Sequence, residues 1–576
     1  MAFPSLPLRG VLRLGPGSDI WHKPALSVVV AVGVPEVVLL LLGRLDLAYY
    51  TSAGAMCALY AHGLPYARRA RTLALVVLGM LAGVGVALTT AALTDSTAVR
   101  VAVAALLAAA HKAACDATRV GPPGPVVLTF MAATGAFVPQ RLGDIPPHLA
   151  VGLAAGAFAW AVGMAPALLR PHGPERLAVA RALETTARLL RTPADPPARD
   201  LHRARHEANA AATAAWRTLL LVPAGRPHLA ALERLLLRAE SASAAPRRSA
   251  AEADRLAGWA HDLRRGRALP LPDATGGSGA GSGAGSGSGA GEGAEPAGIA
   301  AAEQHARRAA GTGGGLRAAL RALRPGSPLL PVGARVAVGA ALAGWASMAV
   351  GVGRPYWAVV TAASVLQANS TLSWKRTLQR VLGSLLGLLV FTALVPLVRI
   401  GPVALVAVAL VCQFATEATV SRNYWLGNVF LTPMALLMTE FTGLRPAGPL
   451  VADRWLDTVL GAAAGLFACA VVVNRRLGRQ VDTALDRLGV AAAQARDALA
   501  ADRPTAAVSA RDQLSAALLD LREAADTAAG EWWLGALPQD RITAAERHGH
   551  QLLAELVHRP ADNPRRSAVS ASGGPQ

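Results

Sequence analysis

Lysine is almost missing from this 576-residue chain. It occurs only at Lys23, Lys112 and Lys375, so nearly all of the 56 basic side chains are arginines. Charged residues are 16% of the sequence, against roughly 25% in an average soluble domain. The arginine excess, shared with Ala and Gly, looks like GC-rich coding as much as a functional demand. Cysteine is scarce too: Cys57, Cys115, Cys412 and Cys469 lie far apart, in or beside apolar runs, with no CxxC and no Cys/His ligand spacing. That argues against a disulfide framework and against a metal site. The pairs His202/His206 and His548/His550 fall in polar helical stretches without a zincin pattern, so no metal is expected there either. GxxxxGKS/T, GxSxG, HExxH and the kinase signatures are all absent, so the chain reads as a non-enzyme with no cofactor and no use of ATP. The residues before Ala25 lack an apolar h-region ending in a cleavage site, and no signal peptide is expected.

What the chain has in excess is apolar surface and arginine. Glycine and the hydrophobic residues together make up about 63% of it, where soluble domains hold roughly 45 to 50%, and mean hydropathy is +0.37. The formal charge is nevertheless +19, so the two must be segregated along the sequence. A soluble globule could not easily bury so much apolar surface, and a basic nucleic-acid binder would not carry long apolar runs. The expected partner is the lipid bilayer and no nucleic acid.

Largely uncharged windows near the roughly 20 residues needed to cross a bilayer fall in two clusters of six. The first cluster is Ala25–Gly43, Leu47–Ala61, Thr72–Leu93, Thr97–His111, Pro123–Val138 and Leu149–Leu169. The second is Val332–Val352, Pro355–Gln367, Leu378–Val398, Gly401–Thr416, Trp425–Thr439 and Asp457–Val473. Basic clusters follow the even-numbered spans: Arg68, Arg69 and Arg71, a long arginine-rich segment after the sixth, Lys375, Arg376 and Arg380, then Arg475, Arg476 and Arg479. The positive-inside rule therefore puts both termini and the middle segment in the cytoplasm, and the chain in the inner membrane.

The expected fold class is all-α, a polytopic membrane protein with two six-helix transmembrane repeats each followed by a cytoplasmic helical domain. Residues 1–24 form a cytoplasmic N-terminal segment, 25–170 the first repeat and 171–274 a cytoplasmic helical domain. Then come a Gly/Ser-rich flexible linker over 275–298 and an arginine-rich helical lead-in over 299–331. The second repeat is 332–474, the C-terminal cytoplasmic helical domain 475–561, and the tail 562–576 is expected to be disordered. Repetition is read from matched order. Leu78-Gly79-Met80-Leu81-Ala82-Gly83 aligns with Leu382-Gly383-Ser384-Leu385-Leu386-Gly387, Tyr49-Tyr50 with Tyr356-Trp357, and Leu128-Thr129-Phe130-Met131 with Leu431-Thr432-Pro433-Met434. Halves of equal orientation would be related by an axis along the membrane normal, with a shared pathway between them.

The second and eighth spans are among the shortest and occupy corresponding places, which is where a transporter's central site is sought. They offer Tyr49 and Tyr50 in one, Tyr356, Trp357, Thr361 and Gln367 in the other; the aromatic pairs suit an interfacial belt equally well. Arg68, Arg69, Arg376 and Arg380 could hold an anion at the cytoplasmic mouth or be purely topogenic. Arg376 and Arg380, one turn apart, are the better placed. Glu36, mid-span beside Pro35, is a candidate proton-coupling carboxyl or a neutral packing acid. Glu417 lies near the inner end of the tenth span, and Glu440 is expected at the outer interface. The GxxxG pairs Gly79/Gly83 and Gly383/Gly387 read as close helix packing, and they leave open whether two copies pair as a homo-oligomer.

The run Arg354-Pro355-Tyr356-Trp357 through Thr361 and Gln367, then Lys375-Arg376 and Arg380-Val381-Leu382-Gly383-Ser384 to Gly387, resembles the FUSC family, the fusaric-acid-resistance-like membrane proteins. Ser384 stands where that pattern has Thr. Asn423-Tyr424-Trp425 through Thr432-Pro433-Met434 is similar to a later signature of the family. The resemblance covers the second half best; in the first, Tyr49-Tyr50 replaces YW and no basic-x-x-Gly run precedes Gly79. It implies an exporter of the class that includes bacterial aromatic carboxylic acid efflux pumps. The expected substrate is a small organic anion, exported by the proton gradient and bound by stacking at Tyr356 and Trp357 and by charge at Arg376 and Arg380, with Thr432 a further candidate. A passive anion channel and a non-transporting membrane scaffold are the alternatives.

Overall fold

The computed structural model describes residues 11–15, 17–118, 120–193, 198–222, 227–244, 249–267, 327, 330–439, 446–472, 476–501, 504–532 and 537–558. These residues are helical or connect helices, and they fall into two compact units. The first unit comprises Met1–Leu169, Gly313–Arg476 and Thr527–Gly535. Its helices are α1 His22–Leu41, α2 Ala48–Ala55, α3 Tyr66–Leu93, α4 Thr97–Thr118, α5 Pro125–Gly135, α6 Ile145–Met164 and the short α7 Pro166–Leu169. Beyond residue 330 come α12 Leu330–Ala349, α13 Tyr356–Val365, α14 Ser370–Val398, α15 Pro402–Val420, α16 Tyr424–Thr439 and α17 Ala447–Val471.

Among the described residues eight helices are long and apolar enough to cross a membrane. The twelve similar spans expected from hydropathy are therefore corrected: α2, α5, α13 and α16 fall short of the roughly 20 residues a crossing needs. Local chemistry explains each break. A 3-10 turn flanks α2 on both sides, α5 starts at Pro125 after Gly124 with φ of 64°, α13 follows Gly351 and Pro355, and α16 contains Pro433. Conversely, α3 begins at Tyr66 and α14 at Ser370, earlier than the apolar windows suggested. Arg68, Arg69, Arg376 and Arg380 thus sit within helices, because arginine is a good helix former and nothing breaks either chain segment.

The helix pairings repeat. Within residues 22–164, α2 packs on α6, α3 on α5 and α6, α4 on α5, and α1 on α2 and α6. The same partners recur in order in residues 330–471, where α13 packs on α17, α14 on α16 and α17, α15 on α16, and α12 on α13 and α17. Across the middle of the unit, α4 pairs with α12, α1 with α15, α5 with α13 and α2 with α16. Exposed Leu26, Val30 and Val37 on α1, Leu75 and Leu78 on α3, Leu389 on α14, Val411 on α15 and Phe467 on α17 form an apolar exterior of the kind lipid tails solvate.

Glycine sets the closest contacts. A Cβ on Gly383 would collide with the Trp425 carbonyl oxygen, and one on Gly387 would lie 2.7 Å from Thr432 Cβ, so this GxxxG face packs against α16 within the chain. Gly79 meets nothing, and Gly83 meets His111. Two further glycine pairs carry the α2/α6 and α13/α17 contacts: a Cβ on Gly152 would approach Tyr50 O at 3.1 Å, and one on Gly461 would stand 2.7 Å from Ala358 O. Gly461→Val should therefore lower the melting temperature of the detergent-solubilised protein, at an overpacking cost of about 1 to 3 kcal/mol, whereas Gly79→Ala should leave it unchanged.

The second unit comprises Arg170–Thr312, Leu477–Asp526 and Ala536–Gln576. Its helices are α8 Gly173–Leu190, α9 Ala198–Leu220, α10 Pro227–Ala244 and α11 Ala250–Arg265, with α18 Arg476–Ala500, α19 Pro504–Ala529 and α20 Gln539–His558. Amphipathic faces bury Val179, Leu183, Leu232, Leu235, Leu236 and Leu256 together. Arg264 pairs with Glu184, and Glu240 accepts from Trp216 Nε1 at 2.9 Å and pairs with Arg511 at 3.2 Å. Helices from both sides of the second membrane half therefore share one packed unit. The linker 275–298, the lead-in up to residue 326, Glu440 and the tail 562–576 lie outside the described residues.

Candidate functional site

The chain leaves a turn at Gly351 and enters α13, which buries nearly every side chain it has. Tyr356 and Trp357 are 5% and 2% exposed, too enclosed for an interfacial belt. Their rings pack on Phe137, in the turn after α5, and on Phe130 of α5, at 5.5 and 5.4 Å between centroids. Trp357 also carries a guanidinium: Arg454 Cζ lies 4.1 Å from its ring centroid. One turn further along α17, Asp457 accepts a hydrogen bond of 2.5 Å from Ser347 with one oxygen, while the other has no partner among the described residues.

Toward the start of α14 the same seam holds two more arginines. Arg380, about 15 Å along the helix axis from Ser370, donates to Asn428 Oδ1 at 2.6 Å and to Tyr424 Oη at 3.4 Å. Arg376 lies over the Tyr424 ring at 3.1 Å. Nε of Arg376, of Arg380 and of Arg454, and Nη1 of Arg454, are buried donors without a partner among the described residues. Thr361, Ser384 and Thr432 bring hydroxyls that are likewise buried and unpartnered. Each such orphan costs about 1 to 3 kcal/mol, and an ion of positive sign would find three guanidiniums. The arrangement can bind an anion by charge-assisted hydrogen bonds, with aromatic faces on either side.

Tyr356, Trp357, Thr361, Arg376, Arg380 and Thr432 thus come from α13, α14 and α16 to the polar seam these helices form. Gln367 does not extend it: its amide nitrogen donates to the carbonyls of Ser364 and Leu366, closing the end of α13. In the first half, Tyr49 donates to Met131 O at 2.6 Å, and Tyr50 donates to Gln140 and stacks on His148 at 3.9 Å. Arg68 is exposed, and Arg69 is buried with its Nη2 against His62 Nδ1 at 2.9 Å. Glu36 is 1% exposed, faces Ser52 of α2 and keeps one unpartnered oxygen. Glu417 is half-buried beside Gln413. Sequence reasoning missed Arg454, Asp457 and Asn428. The spacing Arg454-x-x-Asp457 in an apolar stretch was the available signal, since ionisable groups at membrane depth are costly and rarely incidental.

Residues 340–468 match the family described as fusaric acid resistance protein-like. Along 567 residues, covering 94% of this chain and 87% of the relative, the chain is 24% identical to the uncharacterized membrane protein YvaC of Bacillus subtilis (strain 168). It is 34% identical over 115 residues, 20% of this chain and 16% of the other, to an uncharacterized protein of Haemophilus influenzae. No solved structure matches. The matched residues 340–468 hold α13, α14, α16 and the polar seam between them, and with eight helices of membrane-spanning length among the described residues this chain is an integral membrane protein in which residues 340–468 are similar to fusaric acid resistance protein-like proteins.

Proposed function

We propose that the protein is a multi-pass inner-membrane transporter that exports an organic anion, an aromatic carboxylate, along a path between its two membrane halves. The observation that carries this reading is the set of buried, partnerless N–H groups on Arg376, Arg380 and Arg454 beside Trp357 and Tyr424. A carboxylate would take the guanidinium donors, and its ring would displace Arg454 or Arg376 from the Trp357 or Tyr424 face that it covers. Arginines at the starts of α3 and α14 put those ends in the cytoplasm, with both termini.

The recurring helix pairs support two six-helix repeats, and the reciprocal pairs α4/α12 with α1/α15, and α5/α13 with α2/α16, are what an axis along the membrane normal would generate. Short helices at the second and fifth place of each half support a site near the bilayer midplane. The arginines of the seam lie in the second half. The Gly79/Gly83 register puts Thr72 and Val76 opposite Arg376 and Arg380, and the Gly152/Gly156 register puts Ile145 opposite Arg454. The first half contributes Glu36 instead, in α1 against α15, as the proton-coupling carboxyl. Proton drive fits a chain with no nucleotide-binding motif.

The test is uptake of benzoate and related acids by proteoliposomes with and without a pH gradient. Gradient-dependent accumulation is expected. Flux that ignores the gradient would favour a channel, and no flux for any carboxylate would contradict the reading.

A further inference from the structure

A short stretch of the C-terminal region, Thr527–Gly535, belongs to the membrane unit although the helical residues before and after it belong to the other. Its Glu531 is 5% exposed and fully engaged. One carboxylate oxygen accepts from Arg335 Nη2 at 2.5 Å, the other from the Ser370 backbone N–H at 3.1 Å. Beside it, the Thr371 N–H donates to Gly530 O at 2.9 Å and Trp532 Nε1 donates to Thr371 Oγ1 at 3.2 Å. Arg335 is 2% exposed and is held in place by two further bonds to Val472 O. A guanidinium of fixed orientation and the first N–H groups of a helix form a carboxylate cradle. That helix is α14, and Arg376 follows the cradle by six residues.

We infer that this cradle is the cytoplasmic entry subsite for the transported carboxylate, and that Glu531 is a tethered carboxylate that occupies it and is displaced by the free one. The inference rests on the proposed anion transport. Two features favour a displaceable occupant over a plain structural ion pair. The ligand set is what a free carboxylate would require, one bound by Arg335 and one by the start of the arginine-bearing helix. The Ser370 hydroxyl beside it is buried and has no protein partner, although the carboxylate is seated there.

The test compares wild type, Glu531→Gln and Glu531→Asp in two measurements on the full-length protein. The first is initial benzoate flux in proteoliposomes. Glu531→Gln is expected to raise flux at low benzoate several-fold by lowering KM, with Glu531→Asp close to wild type. A merely structural role would lower flux, and unchanged or reduced flux in Glu531→Gln overturns the inference. The second is hydrogen exchange of residues 527–535 with benzoate added in detergent. Faster exchange of this segment in the wild type is expected as the carboxylate displaces it. If no variant carries benzoate the transport reading fails, and the inference stands or falls on this exchange: an increase upholds the displaceable cradle, and no change overturns it.

Discussion

Arg380→Gln is expected to lower benzoate kcat/KM in proteoliposomes by about 10- to 100-fold, the equivalent of losing one charge-assisted hydrogen bond worth roughly 1.5 to 3 kcal/mol. Glutamine keeps much of the length and can still bond to Asn428, so the fold should survive while the positive charge is gone. Arg454→Gln should do the same. It makes no hydrogen bond that the change would break among the described residues, and its guanidinium rests on Trp357. Arg380→Lys should recover only part of the loss, because an ammonium cannot present the planar fork that grips a carboxylate with two parallel donors. Arg68→Gln is the control: an exposed residue at the start of α3 should leave flux unchanged. Equal loss in the control would mean that general surface charge, and not the buried seam, attracts the anion.

The second large effect is expected at Glu36. Glu36→Gln preserves the shape of a side chain buried to 1% exposure but removes the group that can carry a proton. With one proton moved per anion, a gradient of one pH unit sustains about a tenfold accumulation, since one pH unit is worth about 1.36 kcal/mol. The variant should lose that accumulation entirely and keep downhill exchange at a rate near the wild type. Loss of both would assign Glu36 to packing, and retention of both would move the coupling group elsewhere.

Much of this was legible in the sequence. The apolar windows located the eight long apolar helices among the described residues and overcounted crossings at α2, α5, α13 and α16. Tyr356, Trp357, Arg376 and Arg380 could be singled out because aromatic and basic residues next to a short apolar run stand out from their surroundings. Helix ends were less legible. The window for the third span started at Thr72 since hydropathy penalises Arg68, Arg69 and Arg71, while the backbone continues helically through them from Tyr66. The same penalty cut the last span at Asp457 and hid Arg454, which the fold tucks against Trp357, a residue 97 positions earlier in the chain. Asn428 and Glu531 could not be read at all: one lies in an apolar helix and the other in a polar segment, and only tertiary packing brings them to Arg380 and Arg335. Gly461 and Gly465 sit in a run of small residues, and only the fold brings the first against the Ala358 carbonyl and the second against Val365 and Ala362.

If one buried arginine seam in the second half binds the anion, a structure determined with 4-bromobenzoate will show it, because the anomalous signal of bromine locates the ligand. The peak is expected within a ring's reach of Trp357, with the carboxylate between Arg380 and Arg454. A peak in the first half beside Tyr50 and His148, or no ordered bromine at a concentration that saturates transport, would contradict the account.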